Sequence, residues 1–379
     1  MHDTIYLDYA AATPMDERVL ASMQPYFSER FYNPSATYMA ANKVHKDLEN
    51  ARWTIAQTIG ARASEVIFTA GGTEANNLVI RGVMEQFPDG NIVVSSIEHE
   101  SVLKPAHEYA CKEIPVSKDG LVLIPELATL IDDHTVLVSV MYANNEVGSV
   151  QPIRQITQQL DLIRRARKQA GNNLPLYLHV DAAQAAAYLD LHVARLGVDF
   201  MTLNGGKIYG PKQSGILYAS AHARFKPQIL GGGQERGQRS GTENVAGAIG
   251  LATALELVQK RRHDETMRLK GLQELFRKLL EEKIPGAIIN GSRKTRLPNN
   301  VHITIPGTDN ERILIALDEA GILCAAGSAC SASNEEPSHV LKAMGISDAD
   351  ARSSLRFSMG HATDEPTIHR VVEVLTSVI

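Results

Sequence analysis

The sequence predicts an α/β fold, a large domain with a mainly parallel sheet between helices, followed by a smaller α+β domain. Three observations predict it. From about residue 37 to residue 220, short β-branched runs alternate with helix-spaced patterns, as in successive strand–helix–strand units. Several of these runs are apolar on consecutive residues rather than on every second one, as expected of strands covered on both faces. Past Gly231, Gly232 and Gly233 the pattern changes to one long helical stretch and then isolated strands among helices.

Taken in order, Val44, Leu48, Ala51, Ile55 and Ile59 recur at helix spacing, and Gly60 supplies a stop. Candidate strands follow at Val66–Thr69, Ile92–Val94, Val136–Val140, Leu176–Val180, Phe200–Leu203 and Ile216–Tyr218. Residues from about 245 to 282 read as a long helix, small and apolar first and charged later. Val301–Ile305 and Leu355–Ser358 are the expected strands of the smaller domain.

Composition narrows the function classes. The 379 residues are 44% hydrophobic and 21% charged, values of an ordinary globular chain. Lys and Arg total 38 against 43 Asp and Glu, a net charge of −5, so no electrostatic footprint for nucleic acid is expected. No apolar run approaches the ~18 residues that a membrane helix needs. Asp3, Asp8, Asp16 and Glu17 near the start leave no apolar core for a secretory signal. Three cysteines argue against a disulfide framework and for a reducing, cytoplasmic setting.

Four strand ends carry the chemistry, and open α/β sheets bind ligands beyond the carboxyl ends of their strands. Thr69-Ala70-Gly71-Gly72-Thr73 runs a strand into a glycine pair and a hydroxyl residue, where backbone N–H groups at a helix start cradle a phosphate. Ser95 to Glu100 delivers His99. Leu178 to Gln184 delivers Asp181 from an apolar strand, and such a carboxylate must find a cation or several donors. Asn204 to Lys212 places Lys207 among glycines. An Asp-ending strand followed by such a lysine suggests pyridoxal phosphate, with the amine forming a Schiff base and the Asp holding the pyridine nitrogen protonated.

These segments, together with Tyr6 to Pro14, Thr73-Glu74-Ala75-Asn76-Asn77 and Asn144 to Gly148, resemble the class V aminotransferase superfamily. Arg236 to Thr242, Gly327-Ser328-Ala329-Cys330-Ser331 and Ser354 to Ser358 are similar to the cysteine desulfurases that feed iron–sulfur cluster assembly. The resemblance covers nearly the whole chain in order. It implies the fold-type I architecture of pyridoxal-phosphate enzymes, a large cofactor-binding domain at 15–254, and a small domain of 1–14 with 255–379. It also implies a homodimer with active sites at the interface.

By resemblance, Lys207 is the Schiff-base lysine and the proton carrier at the substrate Cα. Asp181 pairs with the ring nitrogen, and Gln184 bonds the phenolic oxygen. His99 stacks on the ring and serves as an acid/base. Gly72 and Thr73 belong to the phosphate cradle, Thr242 is a phosphate ligand supplied to the partner subunit, and Asn145 and Arg356 hold the substrate carboxylate. Cys330, in a loop of small residues at about 323–337, is the nucleophile that takes the sulfur. Cys111 and Cys324 lack that setting and are expected to be structural. No resident metal is expected; a role of Cys330 as transient iron–sulfur ligand has no CxxC-type spacing behind it.

The sequence departs from the desulfurase pattern beside the lysine. Asn204 and Gly206 stand where the family carries a Ser and a His that bond the phosphate, and Tyr38 stands in place of a histidine after Asn33-Pro34-Ser35. The expected reaction converts L-cysteine to L-alanine, with sulfur passing to Cys330 and on to an acceptor such as an iron–sulfur scaffold protein. A lyase acting on selenocysteine or another β-substituted amino acid, and a non-catalytic homologue that binds a scaffold, remain the alternatives.

Overall fold

The computed structural model describes residues 4–327 and 337–379. Among these residues the strands are β1 (Ile5–Tyr6), β2 (Val66–Thr69), β3 (Asn91–Ser95), β4 (Cys111–Ile114), β5 (Thr135–Ser139), β6 (Tyr177–Asp181), β7 (Phe200–Asn204) and β8 (Gly215–Ala219). They continue with β9 (Ile288–Ile289), β10 (Asn300–Thr304), β11 (Ile322–Leu323) and β12 (Ser354–Ser358).

Seven strands form the central sheet in the order β2-β8-β7-β6-β5-β3-β4. Strands β7, β6, β5, β3 and β4 pair in parallel, and β8 runs antiparallel to both of its neighbours. Because β8 alone is reversed, β2 points the same way as β7, and every other strand ends at one edge. The expected mainly parallel sheet is present. Of the seven strands of this sheet, the one missed from the sequence is β4: Cys-Lys-Glu-Ile is short and polar, and it sits at the sheet's edge, where one side has no strand neighbour.

Continuous apolar runs fit this sheet because both faces are covered. Val93 and Val138 pack into one buried cluster, while Ile92, Val94 and Val136 pack into the other. The period-2 alternation of a strand sends successive side chains to opposite layers.

The small sheet is β12-β10-β9, antiparallel, and β1 pairs in parallel with β11. An isolated bridge joins Asp8 to Ser358, so the first residues pack with the last strands. The helix Val245–Lys283 runs unbroken for 39 residues through the expected domain boundary at 254/255. Its first part lies on the helix Glu17–Met23, where a Cβ on Gly250 would stand 2.5 Å from the Met23 sulfur. Its later part carries Phe276 against Phe357 of β12, ring centroids 5.2 Å apart.

Candidate active site

The helix Gly72–Gln86 begins just beyond the carboxyl end of β2. Its N-cap, Gly71, has φ 144°, a conformation that L side chains rarely adopt, and no side chain caps the first turn. The first N–H groups of this helix therefore have no intrahelical acceptor. Gly215 makes the approach possible: a Cβ there would lie 2.7 Å from the Gly71 Cα. Asn204 closes the cradle from β7. Its Oδ1 accepts from the Gly206 N–H at 3.1 Å, which turns its NH2 toward the helix start, 3.6 Å from where a Gly72 Cβ would stand.

Asp181 ends β6 and is only 8% exposed. Its Oδ1 accepts from the Ala183 N–H at 2.9 Å and its Oδ2 from the Asn76 amide at 2.8 Å. The same Asn76 NH2 donates to the Ser101 hydroxyl at 2.9 Å, and Ser101 Oγ lies 2.8 Å from His99 Nδ1. His99 caps the helix Glu100–Ala106, its Nδ1 accepting from the Ser101 N–H at 3.1 Å. Burial holds the His99 pKa below its ordinary value. The preceding Glu98 is fully buried, accepts from the Met141 N–H at 2.6 Å, and is pushed well above the usual carboxylate range by burial.

Lys207 follows β7. Its amine donates to the Ala10 and Ala11 carbonyls at 2.9 and 2.6 Å, and the Gln184 amide donates to Ala10 O at 2.9 Å. The N-terminal segment thus grips the lysine loop. Thr13 extends the grip: its hydroxyl accepts from the Tyr209 N–H at 2.7 Å, and its carbonyl accepts from the Lys212 amine at 2.7 Å. Tyr209 has φ 60°, unusual for a residue with a side chain. Such backbone persists where its surroundings over-determine it, here by Thr13 and by Tyr209 stacked 3.8 Å from His361.

Arg356 sits in the middle of β12, 1% exposed. It donates to Asp8 Oδ1 at 2.6 Å and to the Asn145 carbonyl at 3.1 Å. The sequence reading gave Arg356 to a substrate carboxylate alone. The structure adds Asp8, which anchors the guanidinium from the strand-like segment beside β12.

Gly72, Thr73, His99, Asn145, Asp181, Gln184, Asn204, Lys207 and Arg356 therefore line one cleft at the carboxyl edge of the sheet. Thr242 is exposed and does not line it. Cys330 lies outside the described residues. Burial pushes the Cys111 thiol up to about 11 and the Cys324 thiol up to about 12, which leaves both poorly nucleophilic near neutral pH. Sequence reasoning gave no role to Asn76, Ser101, Asp8 or the carbonyls of Ala10 and Ala11. The motifs containing most of them were visible, but nothing in their spacing announces which side chains they meet.

Residues 5–371 match the family model described as aminotransferase class-V. The chain is 37% identical over 386 residues to the cysteine desulfurase IscS of Dictyoglomus turgidum, covering 100% of this chain and 95% of that relative. It is 38% identical over 384 residues to the cysteine desulfurase IscS 1 of Archaeoglobus fulgidus, covering 99% and 96%. Among solved structures, a NifS-like protein from Rickettsia africae superposes with a TM-score of 0.87 at 33% identity, over 99% of each chain. Full-length agreement in sequence and in fold, on top of a cleft that gathers a strand-end aspartate, a lysine and an arginine, places this chain in the class V aminotransferase family, among the cysteine desulfurases.

Proposed function

We propose that this cleft takes L-cysteine, releases L-alanine and leaves the sulfur on Cys330 as a persulfide, with pyridoxal 5'-phosphate held at Lys207. The observation that carries the reading is the convergence of Lys207, Asp181 and the uncapped start of the helix Gly72–Gln86 on one cleft. The residues fit the group. An uncapped helix start with Thr73 and the Asn204 amide beside it suits a phosphate dianion. Asp181 has two of its roughly four lone-pair sites used, which leaves capacity for a protonated ring nitrogen. Asn204 thus supplies a donor where the family has serine; the Gly206 N–H is taken by Asn204 Oδ1, so that position adds none.

When bound, pyridoxal phosphate supplies an electron sink that acidifies the substrate Cα and weakens the bond from Cβ to sulfur. Lys207 moves the proton at Cα. Arg356 and Asn145 orient the substrate by its carboxylate, a task for which a planar guanidinium is suited. Cys330 thiolate attacks the substrate sulfur: an S–S bond forms, the C–S bond breaks, and the carbon keeps the electron pair and is protonated. Cysteine and one enzyme thiol become alanine and one enzyme persulfide.

The reading extends to a cytoplasmic homodimer that hands sulfur to an acceptor such as an iron–sulfur scaffold protein, and to a cofactor-binding domain of about 15–254. Thr242, exposed and away from its own chain's cleft, supports a role in a partner's site. No described helix is long and apolar enough to cross a membrane.

The test is spectroscopic. Purified protein with pyridoxal phosphate should show visible absorption that borohydride abolishes, with the reduced label on the peptide containing Lys207. Protein that stays colourless defeats the proposal. Cys330→Ser should keep that spectrum and lose persulfide formation from cysteine. Undiminished cysteine turnover in this variant, or faster turnover of another β-substituted amino acid, would instead indicate a lyase.

A further inference from the structure

We propose that Asn76 and Ser101 are positioning residues that tie Asp181 to His99 and fix the neutral His99 ring with its proton on Nε2. The directions of the hydrogen bonds leave one arrangement. An amide NH2 only donates, and Asn76 spends its two protons on Asp181 Oδ2 at 2.8 Å and Ser101 Oγ at 2.9 Å. Ser101 Oγ accepts there and lies 2.8 Å from His99 Nδ1, with its single proton available to that nitrogen. The Ser101 backbone N–H donates to the same nitrogen at 3.1 Å. Nδ1 therefore accepts, and the ring proton belongs to Nε2.

A second observation marks the amide as held for its donors. Asn76 is 0% exposed, and its Oδ1 is buried with no hydrogen-bond partner among the described residues. Turning the amide over would set its oxygen 2.8 Å from the Asp181 carboxylate, acceptor against acceptor, and leave the NH2 where no partner is found among the described residues. A buried polar atom left unpaired is unfavourable, and here it accompanies the one orientation that serves Asp181 and Ser101 together.

The chemical consequence concerns who carries the proton. With Nε2 already protonated and Nδ1 saturated by donors, neutral His99 orients and donates through Nε2 and does not take the Cα proton. That transfer falls to Lys207. Charging the ring would set an N–H at Nδ1 against the Ser101 backbone N–H, which cannot turn away, and would force the Ser101 hydroxyl to give up its donation, so the network favours the neutral ring. The groups that act on His99 across the packed elements are Asp181 and Glu100, which favour its charged form, and Lys207 and His339, which oppose it.

The proposal rests on the desulfurase reading only for its chemical consequence, because its test needs no turnover. In holoenzyme carrying 15N-labelled histidine, assigned with His99→Gln, multiple-bond proton–nitrogen spectra at neutral pH should show a pyridine-type Nδ1 and a pyrrole-type Nε2 for His99. Ser101→Ala should raise the His99 titration midpoint by about one pH unit, and Ser101→Thr should restore it. A His99 protonated on Nδ1 in the native protein overturns the proposal, and so does a Ser101→Ala variant with an unchanged midpoint. Should that variant not fold, the native spectrum alone decides.

Discussion

Arg356 shows how a single side chain acquires its task. Its charge and fork suit a carboxylate, yet in the fold it already pairs with Asp8 at 2.6 Å and donates to the Asn145 carbonyl. Its Nε is buried and has no partner among the described residues. In the reading we propose, a substrate carboxylate entering beside Asn145 would meet a guanidinium whose orientation is fixed before it arrives, which would lower the ordering cost of binding. We expect Arg356→Lys to raise the KM for L-cysteine by about 10–100-fold, the loss of ~1.5–3 kcal/mol of charged hydrogen bonding, with kcat changed less. Steady-state kinetics across cysteine concentration would check this, and an unchanged KM would remove Arg356 from the substrate site. At this scale the candidate site residues were legible: Lys207, Asp181, His99 and Arg356 stand out by type and motif, and they line one cleft. Their supporting partners were not, because an asparagine such as Asn76 looks the same in sequence whether it caps, faces solvent or bridges two site residues.

At the scale of elements, two devices hold the sheet and the segments around the cleft. Arg52 of the helix Met39–Ile59 makes a two-pronged pair with Glu235, at 2.6 and 2.8 Å, and both side chains are 3% exposed. Glu235 also accepts from the Phe68 N–H of β2 at 2.9 Å, and Arg52 donates to the Val66 carbonyl at 2.9 Å. Removing Glu235 leaves buried Arg52 with only the half-exposed Glu49 carboxylate, 3.0 Å from its Nε, so Glu235→Ala should lower the unfolding free energy measured in urea by about 3 kcal/mol, whereas exposed pairs such as Lys260–Glu256 should matter little. The second device is a buried histidine within the sheet. His179 of β6 bonds Ser139 of β5 at 2.8 Å and Thr202 of β7 at 3.1 Å, and burial lowers its pKa from 6.5 to about 4. His302 of β10 is lowered by burial to about 3. The unfolded chain takes up these protons near pH 6.5 while the native fold does not. Stability should therefore fall as pH drops from about 6.5 toward 4, by about 1.4 kcal/mol per pH unit for each histidine. Buried Glu98, raised above the usual carboxylate range, shifts the total the other way, so denaturant unfolding at pH 7 and pH 5 should be compared between the native protein and His179→Gln, and an equal response in the two would contradict neutral burial of His179. Among the elements themselves, six sheet strands were legible because β-branched runs persist on consecutive residues. The two-residue strands β1, β9 and β11 were not, since two residues carry no period and exist as strands only through their partners.

For the molecule as a whole, the surface is uneven. Phe27, Phe31, Tyr38 and Met39, between 53% and 79% exposed, stand close in the chain, and Phe31, Tyr32 and Tyr38 are in ring contact. Such a patch marks an interaction surface. In the homodimer we propose, each Thr242 would reach the other subunit's phosphate cradle. Mixing Lys207→Ala with Thr242→Ala subunits then has a definite outcome. A mixed dimer holds one site with native Lys207 and a native Thr242 from its partner, so activity absent from either variant alone should reappear. No recovery after verified subunit exchange would mean that Thr242 serves its own chain or no site.

What the sequence determined by itself is the order of its elements and of the motifs on them: apolar periods set the alternation of strands and helices, lysine and aspartate at strand ends suggest pyridoxal phosphate, and the resemblance of the motifs along the chain implies the reaction. Tertiary structure alone decided which polar groups meet. Asp8 and Arg356 are 348 residues apart in the chain, Asn76 and Asp181 are 105 apart, and neither pairing leaves a local signature. The reason is that local patterns act through neighbours within a turn or a pleat, whereas these contacts depend on strand order and register. Those are fixed only when the buried faces of the whole sheet pack together.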